Sequence, residues 1–482
     1  MPDPADKFQL HNAMKNDGTT DDWDVLVSYR ARDLNQHLTT AWNDRVESKS
    51  IKFTVEEYRG PDVYYTDYVF DLGNPQLQFV DDDGAKAELT FDASGTITFR
   101  EHPDTPYNVP AGHYQIRCRV PLAGLTGNGD DTRGEENYFF NDNETASYYV
   151  TFKFHSGSST WELKKVKPLD GAIDTAMTAT VSKIGDYFKN ITSEFMLAIC
   201  LAEVSNDQHP DASGLLTPES FCITCHGGVE KGVLCVFIQT KNGRAGKGQP
   251  KFRVRPGYDY LPVPEEYGAS IIISRTLLIE RFLLPEIKKR KSDAHLRDED
   301  GIVEKKGTGP VDEKTGALFE FRFADDLVTN VEWHNYGNLQ LIFEGLKINF
   351  DDQPLILEIQ DDDSLQTKYT WKWSCKGTLE YYEVVNGYVH HFHADYDNSA
   401  QLASLENDKI KWDIRFTSNN QPDGTKGDQN IQANLTLYEF DFKLPDLDYF
   451  RTTNIFTPGK HVIDAEEMNF PWDLMILGNI AV

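Results

Sequence analysis

At 482 residues and 54.9 kDa, with 39% apolar side chains, the chain is long enough to bury a large core and to divide into two or more domains. Its 77 Asp and Glu against 48 Lys and Arg, a formal charge of −29, repel a phosphate backbone, and no basic aromatic-rich stretch offsets them, so nucleic acid is excluded as the expected partner. Six cysteines are too sparse for a disulfide framework, and Met1-Pro2-Asp3-Pro4 opens no cationic, apolar leader; the expected location is the cytoplasm, or outside the cell by release without a classical signal peptide.

Along the chain, an apolar strand at 23–28 runs straight into a helix carrying Ala31, Leu34, Leu38, Ala41 and Trp42, spaced at three- and four-residue steps on one face. Strand-like runs follow at 51–58, 63–72 and 77–80. The alternation of Leu89/Phe91 and Ile97/Phe99 around Asp92-Ala93-Ser94-Gly95 reads as a hairpin. The meander continues at 114–120, 148–154 and 161–166, around a Gly- and Asp-rich loop at 124–136. A second helix is expected over 171–190, where Met177, Val181, Ile184 and Phe188 keep helical spacing, and could end the first domain.

Strands are expected again at 195–204, 220–226 and 233–240, before a flexible loop at 242–248 that lacks the spacing of a phosphate cradle. The strand Ile271-Ile272-Ile273 then repeats the opening design, leading into a third helix at 274–290 with Leu277, Leu278, Phe282 and Ile287 on its stripe. Pro285 should kink or shorten that helix, and Lys288-Lys289-Arg290-Lys291 places cations at its C-terminus. The charged stretch 291–316 reads as a linker, and alternating strands fill most of 318–444. The longest apolar stretches fall far short of the roughly 20 residues that span a bilayer, so no transmembrane segment is expected.

Two motifs could carry chemistry. Cys222-Ile223-Thr224-Cys225-His226 matches the spacing of covalent haem attachment and of a redox pair. Its alternation before Gly227-Gly228 instead reads as a strand with the two sulfurs on opposite faces. His391, His393, Asp395 and Asp397 alternate along one strand as a divalent metal would require, and the H-x-H-x-D core resembles the metallo-β-lactamase motif. Tyr396 stands where that family has a further His, so adventitious metal binding or an exposed polar strand face is favoured over a designed site, and no cofactor is expected. Asp81–Asp83 and Asp361–Asp363 read as solvated turns, and the chain has no G-x-S-x-G elbow, H-E-x-x-H or dinucleotide fingerprint.

Asp22-Trp23-Asp24-Val25-Leu26-Val27-Ser28 with Leu34-Asn35-x-x-Leu38 resembles the start of the forty-seven-kilodalton accessory proteins encoded beside clostridial neurotoxins. Ala269-Ser270-Ile271-Ile272-Ile273-Ser274, followed by Leu277-Leu278 and Leu283-Leu284-Pro285, is similar to that family's central strand and helix. Leu216-Thr217-Pro218-Glu219-Ser220-Phe221 agrees as well. The resemblance implies the tubular lipid-binding (TULIP) fold and a non-enzymatic role near a toxin or a sister protein of the same fold.

The expected architecture is therefore α+β and mostly β, with two TULIP-like domains at 1–192 and 193–482. Each would be a long amphipathic helix wrapped by a highly curved antiparallel sheet, with the C-terminal strands able to return to the first domain. Two functional readings follow. In one, an apolar tube walled by Leu34, Leu38, Trp42, Leu278 and Phe282 binds a lipid or other hydrophobic molecule. In the other, those side chains fill the tube, and the curved sheets serve as a protein-binding or assembly surface.

Overall fold

The computed structural model describes residues 5–283 apart from 16–17, 81–84, 127–136, 142–145, 170, 179 and 207–214; beyond 283 it describes the strands given below and residues 472–473. The chain is mostly β and antiparallel, with a strongly curled half-barrel sheet and few helices. It divides into two compact units. The first comprises Met1–Leu277, Leu447–Met468 and Asp473–Val482, and the second Leu278–Asp446 and Asn469–Trp472.

The first unit opens with α1 (Lys7–Met14), whose start is fixed by a capping box: the Asp6 carboxylate accepts from the Gln9 amide at 2.8 Å, and the Gln9 side chain accepts from the Asp6 amide at 3.2 Å. Then come β1 (Val25–Arg30) and α2 (Ala31–Arg45), joined without a loop. The meander supplies β2 (Ser50–Arg59), β3 (Asp62–Leu72), β4 (Gln76–Val80), β5 (Lys86–Phe99), β6 (Tyr107–Thr126), β7 (Tyr138–Phe139), β8 (Ser147–Phe152) and β9 (Thr160–Lys165).

Three short helices follow, α3 (Gly171–Thr178), α4 (Val181–Lys189) and α5 (Ser193–Ala198). The single helix expected over 171–190 is thus two. The break falls at a threonine-rich step, where the Thr180 hydroxyl donates to the Met177 carbonyl at 2.7 Å and turns the chain. The strand expected from 195 is also corrected. Thr192 caps α5 by accepting from the Phe195 amide at 3.3 Å, and β10 (Ala202–Ser205) starts only afterwards. A short unbroken apolar run carries no period, so the cap decides its conformation.

The unit continues with β11 (Pro218–His226), β12 (Val233–Thr240) and β13 (Ala269–Ile273). A π-helical turn, Leu277–Leu283, stands where the third helix is expected, with the Ser274 hydroxyl accepting from the Leu277 amide at 3.2 Å. Ile287 lies outside the described residues, as does the expected linker at 291–316 apart from a short strand at Ile302–Val303.

The second unit holds β14 (Ile302–Val303), β15 (Ala317–Phe321), β16 (Leu327–Thr329), β17 (His334–Tyr336), β18 (Leu339–Leu341), β19 (Leu346–Asn349), β20 (Leu355–Gln360), β21 (Thr370–Val385), β22 (Tyr388–Leu402), β23 (Lys409–Arg415) and β24 (Asn434–Asp441). Its main sheet runs β14-β15-β20-β21-β19-β16, with β22 pairing to β21 along the full length of both hairpin arms. Returning to the first unit, the chain adds β25 (Ile463–Asn469) and β26 (Leu474–Ile480).

Two sheets organise the first unit. One runs β25-β26-β13-β1-β12-β11-β7, so residues on both sides of position 192 share a single sheet. Every residue of β1 and β13 is buried, which explains the apolar runs Val25-Leu26-Val27 and Ile271-Ile272-Ile273 within them. One face is covered by α1 and the 245–263 segment, packing Leu10, Met14, Leu261 and Val263 over Leu26, Cys235 and Ile272. On the other face, Phe221 stacks on Tyr138 at 4.9 Å and meets Tyr148 of β8 at 5.5 Å. Two buried carboxylates pin the strand ends. Asp24 accepts from the Thr240 amide and hydroxyl, both at 2.8 Å, and Asp473 accepts from the Thr19 amide at 2.6 Å and hydroxyl at 2.8 Å.

The other sheet runs β10-β8-β6-β5-β3-β2, with β4 and β9 added where long strands change partners. The first half of β5 pairs with β4 and its second half with β3, and the shift between Ala93 and Gly95 bends it. Gly95 sits at φ 155°, and a Cβ there would lie 2.0 Å from the Val69 carbonyl oxygen. The bend therefore requires glycine.

Candidate functional site

The concave face of the curled sheet and α2 enclose an aromatic interior. α2 is set by its junction with β1. The Arg30 amide donates to the Gly268 carbonyl at 2.9 Å and the Ala31 amide to the Gly232 carbonyl at 2.8 Å, satisfying donors that a helix start leaves open. Asn35 then clamps the helix to β4: its side chain accepts from the Leu77 amide at 2.6 Å and donates to the Leu77 carbonyl at 2.9 Å and the Ala31 carbonyl at 2.8 Å. With the helix fixed, Leu34, Leu38, Ala41 and Trp42 are all buried on its inner face.

Trp42 meets Phe91 of β5 at 5.3 Å and Phe195 of α5 at 5.8 Å. Phe188 of α4 is the hub of the opposite wall, with ring centroids 4.8 Å from Trp161, 5.6 Å from Phe154 and 5.8 Å from Phe91. Trp42, Phe91, Phe154 and Phe188 are essentially inaccessible, whereas Phe195 is half-buried at the rim. Such offset and edge-on ring contacts contribute beyond simple area burial.

Polar contacts hold α3 over this interior. The Tyr68 hydroxyl donates to the Ala176 carbonyl at 2.9 Å, and Asp174 accepts from the Tyr114 hydroxyl and from Lys165 Nζ at 3.1 Å. Those two donors hold the Asp174 carboxyl below its ordinary value, the Tyr114 hydrogen bond contributing most. Burial, with Asp174 beside it, pushes the Tyr114 hydroxyl up.

Of the expected wall residues, Leu34, Leu38 and Trp42 lie together on α2 at 0%, 0% and 1% exposure. Leu278 is buried in the π-helical turn; Phe282 belongs to the same turn, and its side chain lies outside the described residues. Sequence reasoning named no site role for Phe91, Trp161, Phe188 or Asn35. Alternation marks Phe91 and helical spacing marks Phe188, but the ring-to-ring convergence is a product of topology. Asn35 carries no periodic signal at all.

Cys222 and Cys225 stand an odd number of residues apart on β11, on opposite faces and both buried. The Cys225 thiol donates to the Lys86 carbonyl at 3.2 Å, and burial pushes the neighbouring Cys235 thiol up to about 12. These are packed strand cysteines. His391, His393, Asp395 and Asp397 occupy alternate positions of β22, with side chains outside the described residues. Among the described residues, no group of three His, Cys, Asp or Glu is placed to hold a metal, and no helix is long and apolar enough to cross a membrane.

No protein-family model matches the chain, and no curated protein matches it. The chain is similar to P47. Structures of P47 from Clostridium botulinum A2 and E1 align over 96% of this chain and 98% and 100% of their own, at 12% and 11% identity and a TM-score of 0.47 each. The crystal structure of lipopolysaccharide binding protein aligns over 95% of this chain and 99% of its own, at 10% identity and a TM-score of 0.29. At these scores the fold rests on the strands and helices described above.

Proposed function

We propose that the protein is a non-enzymatic carrier or receptor for a lipid or other hydrophobic molecule, bound in the aromatic interior between α2, the curled sheet and α4–α5. The observation that carries this reading is the construction of the wall. Trp42, Phe91, Phe154, Trp161 and Phe188 converge from four elements, α2, β5, β9 and α4, and from the turn that follows β8, and Phe195 beside them is half-buried. Apolar walls of this kind select ligands by shape and apolar area. Short helices held by a few polar contacts form the movable side of such an enclosure.

The test is native mass spectrometry of the purified protein followed by organic extraction. A stoichiometric apolar adduct, released by extraction and lost in a variant with Phe195→Asp, supports the reading. A clean mass at 54.9 kDa with no uptake from added liposomes refutes it. The full burial of Leu34, Leu38 and Trp42 favours a second reading, in which the interior is filled and the sheets bind a protein, a toxin or a sister protein among them. A clean apo mass sends the search there.

A further inference from the structure

The curled sheet has one end at which β2 turns into β3 and β5 into β6. It displays Tyr58, 71% exposed, and Tyr107, 41% exposed, on two stiff hairpins. The β2–β3 turn is the two-residue Gly60-Pro61, with Gly60 at φ 66°. In the other hairpin, amide bonds from His102 to the Phe99 carbonyl at 2.8 Å and from Thr105 to the His102 carbonyl at 3.2 Å brace the turn. The two hairpins are neighbours, since Thr66 pairs with Phe99 and the Arg100 amide donates to the Tyr65 carbonyl at 3.1 Å.

This end already binds two guanidinium groups of its own. Arg59 lies 5.0 Å over the Tyr64 ring while pairing with Glu57 at 2.8 Å. Arg100 lies 5.2 Å over the Tyr65 ring while two of its nitrogens donate to Asp67, each at 2.8 Å. In both cases a planar cation is held between a tyrosine face and a carboxylate, an arrangement suited to arginine over lysine. Tyr58 and Tyr107 repeat the aromatic half of that arrangement in the open. The exposed Glu56, Glu101 and Asp104 supply the carboxylates; Glu56 accepts from the Tyr58 hydroxyl at 3.3 Å, and among the described residues the three hold no lysine or arginine in an ion pair. Across 54–67 and 98–108, six carboxylates stand against two arginines.

We propose that this sheet end is a docking surface for an arginine-rich polypeptide segment of a protein partner. Charge complementarity chooses the occupant: the same carboxylates repel anionic lipid headgroups and nucleic acid, and the open tyrosines favour guanidinium over ammonium. The surface lies on exposed hairpins, outside the aromatic interior, so the inference stands or falls apart from the hydrophobic-ligand reading.

The test measures fluorescence polarisation of labelled nona-arginine and nona-lysine peptides on the full chain. Wild type should bind nona-arginine more tightly, with amide-exchange protection appearing at 54–67 and 98–108. Tyr58→Ala with Tyr107→Ala should weaken nona-arginine binding about 5- to 30-fold and abolish the preference over nona-lysine. Glu56→Gln, Glu101→Gln and Asp104→Asn together should weaken both peptides. Asp44→Asn, Glu47→Gln and Glu162→Gln, which remove equal charge elsewhere, should leave the preference intact. Equal affinity for the two peptides, protection arising elsewhere, or tip variants that lose binding to phosphatidylcholine vesicles but keep peptide binding would overturn the proposal.

Discussion

Replacing Phe188 by alanine tests whether the aromatic interior is the element that holds α4 to the sheet. The ring is fully buried and stands 4.8 Å from Trp161 at an interplanar angle of 13°, with Phe154 and Phe91 within 5.8 Å. Emptying such a site costs about 3–5 kcal/mol, of which the ring pairs account for roughly 0.5–1.5 kcal/mol each before relaxation. Because the chain has two units, one global melting curve mixes their transitions, and native-state hydrogen exchange read by mass spectrometry is the better assay. A loss of about 4 kcal/mol accelerates opening roughly a thousandfold. It should appear in peptides covering 181–189 and 86–99, while the β1–β13–β26 sheet is little changed. An acceleration below tenfold in those peptides, or one spread evenly over both sheets, refutes the reasoning.

Asn35→Ala strands the Leu77 backbone groups that the side chain now satisfies, so the Leu77 amide should exchange faster and the unit should lose about 2–4 kcal/mol, measured by denaturant titration of the same peptides. Gly95→Ala drives a methyl into the Val69 carbonyl and should break the pairing of β3 with β5, seen as lost protection across 66–72. Asp174, held below its ordinary 3.8, stabilises the docking of α3 above that pH, and the stabilisation is lost as pH falls through its lowered folded value. Protection of α3 should therefore be flat from neutrality down to the carboxylate range and fall below it, and Asp174→Asn should remove that pH dependence. Burial pushes the Cys200 thiol to about 11 and the Cys235 thiol to about 12, so neither should react with a disulfide reagent at pH 8 until the chain is unfolded.

The strand-then-helix design at 23–42 was legible because its information is local: an apolar run with no polar face, then a stripe at helical steps. The strand cysteines were legible for the same reason, since odd spacing on a strand fixes opposite faces. α1 escaped because its apolar face is weak; the Asp6-x-x-Gln9 capping box was the available sign. The run at 195–202 differs from its expected conformation because eight consecutive apolar residues fit strand and helix alike, and only the Thr192 cap separates them. Least legible was the interior itself. Trp42, Phe91, Trp161 and Phe188 come from elements spread over 147 residues, and nothing local in any of them announces the others.

The pairing of β26 with β13 has a consequence for biosynthesis. β13 ends at Ile273 and β26 begins at Leu474, so about two hundred residues must leave the ribosome before this edge meets its partner. At typical elongation rates the wait is roughly 10–40 s. During that interval Ile271, Ile272 and Ile273 present an unpaired apolar edge, the kind of template on which chains associate wrongly. A growing chain therefore needs either rapid burial of that edge by a provisional partner or attendance by a chaperone, and truncation near the C-terminus should be felt first as aggregation of the N-terminal half.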